Sequence, residues 1–184
     1  MTPQQEPQRV VSASREIAAS PEQIFELIAD PAQQPRWDGN DNLARARAGQ
    51  RVRQVGDVFT MTLTGGSVRE NHVVEFEEAR LIAWRPSPVG RREPGHLWRW
   101  ELEPLGDSRT RVTHTYDWTQ LTDKTRLPRA RSTTPDRLHA SLVRLASLAE
   151  SAGTESVGTA RQRRRGEAPA STSPRSRRPP SGSC

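Results

Sequence analysis

Residues 134–152 constrain the fold of this chain more than any other segment, because their pattern predicts one amphipathic helix. Thr134 can cap the helix, Pro135 suits its first turn, and Asp136 lies near the positive end of the helix dipole. At about 100° per residue, one stripe of this helix is apolar. The stripe comprises Leu138, Leu142, Leu145 and Ala149, with Leu148 and Ala152 at its edge. Such a helix must bury its stripe, and the preceding strands offer the other large apolar surface.

Small residues interrupt the apolar stripe at Ser141, Ala146 and Ala149. Small side chains on a buried face allow another element to pack closely against the helix. They also leave room for a ligand between the helix and a sheet. Both interpretations stay open at the level of the sequence.

The positive charge of the chain is concentrated at its C-terminal end. The net charge is +6 and the pI is about 11.0. Residues 153–184 contain seven arginines and two glutamates, which give +5 and leave +1 for residues 1–152. The composition of this tail predicts disorder. Its arginine clusters at 161–165 and 175–178 predict weak, salt-sensitive contacts with anionic surfaces and no specific binding of nucleic acid.

Length, cysteine content and hydropathy predict one cytoplasmic domain. A chain of 184 residues suits one domain with short extensions, of which residues 1–7 are predicted to be a flexible leader. The first 20 residues lack the apolar run of a signal peptide, and no stretch approaches the length of a membrane span. The single cysteine, Cys184, cannot form an intrachain disulfide.

The predicted elements are one strand, two short helices, a run of strands and the long helix. Ser20 and Gln23 form a capping-box pattern at the start of the first helix, which ends at Asp30. The second short helix covers residues 31–36. Alternating side chains predict strands at residues 9–18, 43–49, 57–64, 68–77, 80–86, 95–104 and 109–118. The Arg- and Thr-rich connector at 119–133 is assigned no role.

Side-chain alternation assigns the faces of two hairpins. In the last hairpin, a three-residue loop at 106–108 puts four pairs on one face, namely Leu102–Val112, Trp100–His114, Trp98–Tyr116 and His96–Trp118. In the hairpin of strands 57–64 and 68–77, a four-residue turn at 64–67 sets the register. It puts Phe59, Met61 and Leu63 opposite His72, Glu70 and Val68, and Val74, Phe76, Ile82 and Trp84 are predicted to continue that inward face.

These inward faces form a wall rich in tryptophan with a few polar groups. Aromatic faces with few polar anchors suit a planar, largely apolar ligand that carries a few oxygens. The predicted ligand-binding residues are Phe59, Met61, Glu70, His72, Trp84, Trp98, Trp100, Trp118 and, from the long helix, Leu142. The alternative interpretation is that the tryptophans fill a solid core.

The histidines on this wall favour proton transfer over metal binding. His72, His96 and His114 lie on different predicted strands and no metal-ligand spacing links them, so no metal or other cofactor is predicted. His114, beside Tyr116, is the candidate for general acid–base catalysis, because imidazole titrates near neutral pH. The alternative is a core histidine with satisfied hydrogen bonds. Glu70 is either a buried general base or an exposed residue at a strand end.

Four segments resemble the START-like superfamily, also called SRPBCC, which includes polyketide cyclases/dehydrases and lipid-transfer proteins. They are REIAASPEQIFELIADPAQQPRWDG (15–39), ENHVVEFEEARLIAWRP (70–86), HLWRWELEPLGDSRTRVTHTYDW (96–118) and the final helix. The resemblance covers residues 8–152. It implies an α+β helix-grip (Bet v 1-like) fold, in which a curved antiparallel sheet wraps around a long C-terminal helix with a cavity between them.

Three functions are compatible with this resemblance. The first is a polyketide cyclase/dehydrase, in which the cavity folds a reactive chain and His114 and Tyr116 assist proton transfer. The second is a non-catalytic carrier or sensor of a lipid or aromatic metabolite. The third is a protein-interaction module of the same fold. The expected partner in the first two cases is a hydrophobic small molecule.

Overall fold

The computed structural model describes residues 8–106 and 108–165, with side chains described as far as residue 152. The predicted leader at 1–7 and the predicted tail from residue 166 onwards lie outside these ranges.

Seven antiparallel strands form one curved sheet in the order β1-β7-β6-β5-β4-β3-β2. The strands are β1 (Val10–Ile17), β2 (Leu43–Arg45), β3 (Val58–Leu63), β4 (Val68–Glu77), β5 (Leu81–Pro88), β6 (Leu97–Gly106) and β7 (Arg109–Asp117). Strands β2 to β6 each pair with the next strand in the chain, and β1 pairs with β7 along its whole length. With the C-terminal helix packed on this sheet, the predicted helix-grip fold is confirmed.

Within the described residues, four helices accompany the sheet: α1 (Pro21–Ala29), α2 (Gln34–Trp37), α3 (Leu127–Arg131) and α4 (Pro135–Arg165). Short 3₁₀ turns at Pro31–Gln33 and Lys124–Arg126 precede α2 and α3. The predicted capping box of α1 is present, because the Ser20 hydroxyl accepts from the Gln23 backbone N–H while the Gln23 side chain accepts from the Ser20 backbone N–H.

Two elements differ in length from the prediction. Strand β2 ends at Arg45, whereas the sequence pattern extends it to residue 49; the chain turns instead at Gly49, which has a φ of 82°. Helix α4 continues to Arg165, beyond the end predicted at Ala152.

The β3–β4 hairpin has a register one residue away from the predicted one. The Leu63 N–H donates to the Ser67 carbonyl at 2.8 Å, so three residues rather than four form the loop. Phe59 therefore lies opposite Asn71, and Met61 lies opposite Arg69. A slip of one residue turns every side chain of a strand to the other face of the sheet.

This register corrects the prediction that Glu70 and His72 face inward. Both lie on the outer face of the sheet, where the Glu70 carboxylate accepts from the Gly90 N–H at 3.0 Å. His72 Nε2 lies 3.0 Å from the Ser87 hydroxyl. Arg69 and Asn71 take the inward positions in their place.

A β-bulge between Val73 and Glu75 shifts the inward-facing positions of β4 by one further residue. Val74 takes the extra position, Glu75 pairs with Ala83, and Phe76 pairs with Ile82. Phe76 therefore faces the core, as predicted, and its ring lies 5.7 Å from that of Phe25.

The apolar stripe of α4 is buried as predicted. Leu138, Leu142 and Leu145 are fully inaccessible to solvent, and Ala149 is nearly so. Among the small residues of this face, Ser141 serves close packing, because its hydroxyl accepts from the Gly39 N–H at 2.8 Å. A Cβ atom added to Gly39 would lie 2.5 Å from the Ser141 backbone nitrogen and 2.6 Å from the Arg137 carbonyl oxygen.

We expect Gly39→Ala to lower the free energy of unfolding by about 2 kcal/mol, because the added methyl group must push α4 away from the loop after α2. Urea denaturation followed by circular dichroism measures this difference. Gly65→Ala is the matched control, since no atom lies within 4 Å of a Cβ atom at Gly65. Equal stability of the two variants would contradict the close-packing interpretation.

Candidate functional site

A cavity of about 150 Å³ lies between the concave face of the sheet and the N-terminal end of α4. Strands β3 to β7 provide its wall, α2 closes one side, and the connector between β7 and α4 closes the other. The exposed residues Arg129, Ser132 and Arg137 mark its mouth. A dry cavity of roughly 150 Å³ is large enough to bind a molecule such as benzene.

Stacked aromatic rings form the wall of this cavity on β6 and β7. The Trp100 indole lies parallel to the His114 imidazole, with ring centroids 3.6 Å apart and planes 11° apart. Trp98 covers Tyr116 at 4.3 Å, and Trp37 from α2 meets Trp100 edge-on at 5.0 Å. The Trp100–His114 and Trp98–Tyr116 pairs follow directly from the predicted register of the last hairpin, which the structure reproduces.

The structure brings six of the predicted site residues together around this cavity. They are Met61, Trp84, Trp98, Trp100, His114 and Tyr116. Trp37, Asn71, His96 and Leu121 also line it, although none of them is among the predicted ligand-binding residues.

Three further predicted ligand-binding residues are buried but lie away from the cavity. Phe59 packs edge-on against Trp84 at 5.5 Å, and Leu142 belongs to the main core. Trp118 lies just past the end of β7, where the Arg9 guanidinium covers its ring at 5.4 Å. Together with Glu70 and His72, these positions correct the predicted lining. The reasons are local: the β3–β4 register for Glu70 and His72, and neighbouring side chains that fill the space around Phe59, Leu142 and Trp118.

Burial dominates the ionisation of the titratable groups on the wall. Desolvation lowers the pKa of His114 to about 3, against a smaller opposing effect of the Leu138 backbone. Desolvation lowers the pKa of His96 to about 4, and the charges of Arg126, Arg69 and Arg129 add to this effect. Desolvation raises the pKa of Tyr116 to about 12. At neutral pH both imidazoles are therefore uncharged and the phenol is protonated.

Several buried polar atoms of the wall lack a hydrogen-bond partner among the described residues. They are Nδ1 of His96, Nδ1 of His114 and Nε1 of Trp100. A buried polar atom without a partner is destabilising by about 1–3 kcal/mol. The three residues that carry these atoms all line the cavity.

Sequence reasoning missed the arginines of the cavity. Arg69, Arg126, Arg129 and Arg137 all line it. Arg69 was missed because of the one-residue register difference, and the other three because nothing in their local pattern shows that the connector and the first turn of α4 fold over the sheet. The arginine-rich composition of the connector was the available signal.

Neither a metal centre nor a membrane span is evident in the described part of the chain. Within residues 8–106 and 108–165, no three His, Cys, Asp or Glu side chains cluster as metal ligands would. In the same ranges, no helix combines the length and the apolar character needed to cross a bilayer.

The curved sheet, the long helix and the aromatic-walled cavity between them define a helix-grip protein. The chain belongs to the family described as polyketide cyclase/dehydrase and lipid transport, which matches residues 8–150. The resemblance noted in the sequence is thereby confirmed.

Among curated proteins, the chain is similar to the uncharacterized protein Rv0088 of Mycobacterium tuberculosis, with 33% identity over 111 residues. The similarity covers 59% of this chain and 47% of that protein, so the chain spans about half the length of the curated relatives it matches.

Among solved structures, a START superfamily protein from Mycobacterium smegmatis has a TM-score of 0.58 at 18% identity, covering 77% of this chain and 97% of that one. The Aha1 dimer from Colwellia psychrerythraea has a TM-score of 0.55 at 19% identity, covering 77% and 96%. At these identities the likeness shows a shared fold.

We expect the protein to lose stability as the pH falls below about 6.5. Burial lowers the pKa of His114 in the folded state below its unfolded value of about 6.5. Its contribution to the free energy of unfolding is therefore complete above about pH 6.5, and it is lost at lower pH because the unfolded state takes up a proton. Below about pH 6.5, each such histidine lowers the free energy of unfolding by about 1.4 kcal/mol for each pH unit. Urea denaturation between pH 7 and pH 5 measures it.

The variant His114→Phe should show a shallower pH dependence between pH 7 and pH 5, because it removes one of the two buried imidazoles. His139→Gln is the control, since His139 is exposed on α4. An unchanged slope in His114→Phe would show that this imidazole does not carry the effect.

Proposed function

We propose that the protein binds a small, largely apolar aromatic molecule in the cavity between the sheet and α4. The observation that carries this proposal is the pairing of stacked aromatic rings with buried polar atoms that lack partners. A solid core would leave those atoms unsatisfied at a loss of stability, whereas a ligand with one or two polar groups would satisfy them. The proposed ligand-binding residues are Met61, Trp84, Trp98, Trp100, His114 and Tyr116.

The volume of the cavity limits the size of the enclosed part of the ligand. At about 150 Å³, it matches a body of one ring or a short acyl chain. A longer polyketide or lipid would project through the mouth beside Arg129 and Arg137, or would require the connector to move outwards.

The electrostatics of the wall favour binding over proton transfer. A general base works best with a pKa near the operating pH. Burial keeps the pKa of His114 at about 3 and raises that of Tyr116 to about 12, so neither group changes its charge near neutral pH. We therefore assign His114 and Tyr116 the role of hydrogen-bond partners for polar atoms of the ligand.

We expect nitrobenzene, a neutral aromatic probe with one ring, to quench the intrinsic tryptophan fluorescence of the full chain in a saturable way. Trp98→Ala should weaken the affinity about tenfold, because the stacking surface of one aromatic ring contributes roughly 1.5 kcal/mol. Leu97→Ala is the matched control, since it lies on the same strand and points to the opposite face.

Circular dichroism of each variant checks that the fold is retained. A folded wild-type protein that shows no saturable quenching would contradict the proposed function. The same affinity in Trp98→Ala and in wild type would place the probe outside this cavity.

A further inference from the structure

Three arginines from two distant parts of the chain meet at this cavity. Arg69 comes from β4, where it pairs with Met61 and is half-buried. Arg126 and Arg129 come from the 3₁₀ turn and the short helix α3 between β7 and α4. All three line the cavity.

The acidic groups nearby neutralise this cluster only in part. Asp38 is the acidic residue of the cavity lining, and its carboxylate accepts from the backbone N–H groups of Asn40, Asn42 and Leu43. Asp123 pairs with Arg126 at 3.1 Å and lies outside the lining. Among the residues whose side chains are described, Arg69 and Arg129 have no ion-pair partner.

The three positive charges converge on one region of the wall. Desolvation is the main cause of the lowered pKa of His96, and these three charges lower it further. The same charges oppose the desolvation that raises the pKa of Tyr116. The pKa of Arg69 is itself lowered by burial and then by Arg126 and Arg129. The rings of His96 and Tyr116 are in edge-to-face contact, with centroids 5.9 Å apart, so the three arginines act on one small region of the wall.

We propose that the ligand of this cavity carries an anionic oxygen head group, a carboxylate or a phosphate, that binds to Arg69, Arg126 and Arg129. The apolar body of the ligand then lies against Trp98 and Trp100. This inference rests on the proposed function and narrows its ligand from aromatic molecules in general to anionic ones.

The chemistry of the cluster supports this assignment. A guanidinium presents N–H donors in a planar fork that matches the oxygens of a carboxylate or a phosphate. Like charges around a low-dielectric cavity repel one another, and the attraction of an anion between them offsets that repulsion. The buried Nδ1 of His96, which has no partner among the described residues, supplies a further polar contact.

Three probes with the same one-ring nitrobenzene body test the inference by tryptophan fluorescence of the full chain: 4-nitrobenzoate, 4-nitrophenyl phosphate and the neutral 4-nitrobenzamide. At least one anion should bind about tenfold or more tightly than the amide, as expected for a charge-assisted hydrogen bond in a partly buried site. The tighter anion identifies the head group. The difference in affinity between the anion and the amide should decrease as salt is added, because Arg129 at the mouth is exposed and dissolved ions screen its charge.

Neutralising variants identify the residues responsible. Arg69→Gln and Arg129→Gln should each lower the affinity for the preferred anion about tenfold and leave the affinity for the amide unchanged. Arg129 is exposed, so its variant keeps the test valid if Arg69→Gln does not fold. Arg131→Gln is the matched control, because Arg131 lies on the same short helix, is exposed and does not line the cavity.

Two failures are distinguishable. If the amide binds as tightly as both anions, or if neither arginine variant changes the affinity for the anions, the head-group inference is overturned and the proposed function stands. If none of the three probes binds to the folded protein, the proposed function itself is overturned.

Discussion

Burial of the leucine stripe of α4 against the concave face of the sheet is the contact on which the rest of the structure depends. Leu138, Leu142 and Leu145 are fully buried, and each contributes about 2 kcal/mol of hydrophobic stabilisation. Leu142 and Leu145 join the main core, together with α1 and the inner faces of β6 and β7. At the N-terminal end of α4, Thr133 and Arg137 line the cavity that lies between the helix and the sheet. The helix thus has two roles along its length: it closes the core at one end and bounds the cavity at the other.

The register of the β3–β4 hairpin decides the charge of that cavity. Strand β4 carries acidic and basic residues side by side, so a register change of one residue exchanges Glu70 for Arg69 on the inner wall. The three-residue loop selects Arg69, and the connector before α4 adds Arg126 and Arg129 at the same place. A wall expected to hold a carboxylate therefore holds a cationic cluster. The ligand that we propose changes accordingly, from a molecule with a few oxygens to one with an anionic head group.

The aromatic wall explains why the site suits binding better than proton transfer. His114 stacks flat on Trp100 and is withdrawn from water, which removes the charged form of its imidazole at neutral pH. Tyr116 under Trp98 remains a neutral hydrogen-bond donor for the same reason. These groups can recognise polar atoms of a ligand without changing their own protonation. Family membership and fold set the class of ligand, and the arrangement of these side chains narrows its chemistry.

The sequence by itself determined the architecture, because the features that specify it are periodic and local. The leucine stripe of α4, the capping box at Ser20 and the alternation of β6 and β7 each follow from side-chain spacing within one element, and all three are present in the structure. Six residues of the cavity wall follow from side-chain alternation along strands, four of them on β6 and β7. Only the tertiary structure decided what depends on loop length and on long-range packing: which face of β4 is buried, where the connector folds, and how Gly39 meets α4. One residue more or less in a turn leaves the hydrophobic periodicity of a strand unchanged but exchanges its buried and exposed faces, and that is why Arg69 emerged only from the fold. Arg126 and Arg129 emerged only from the fold because they depend on where the connector packs.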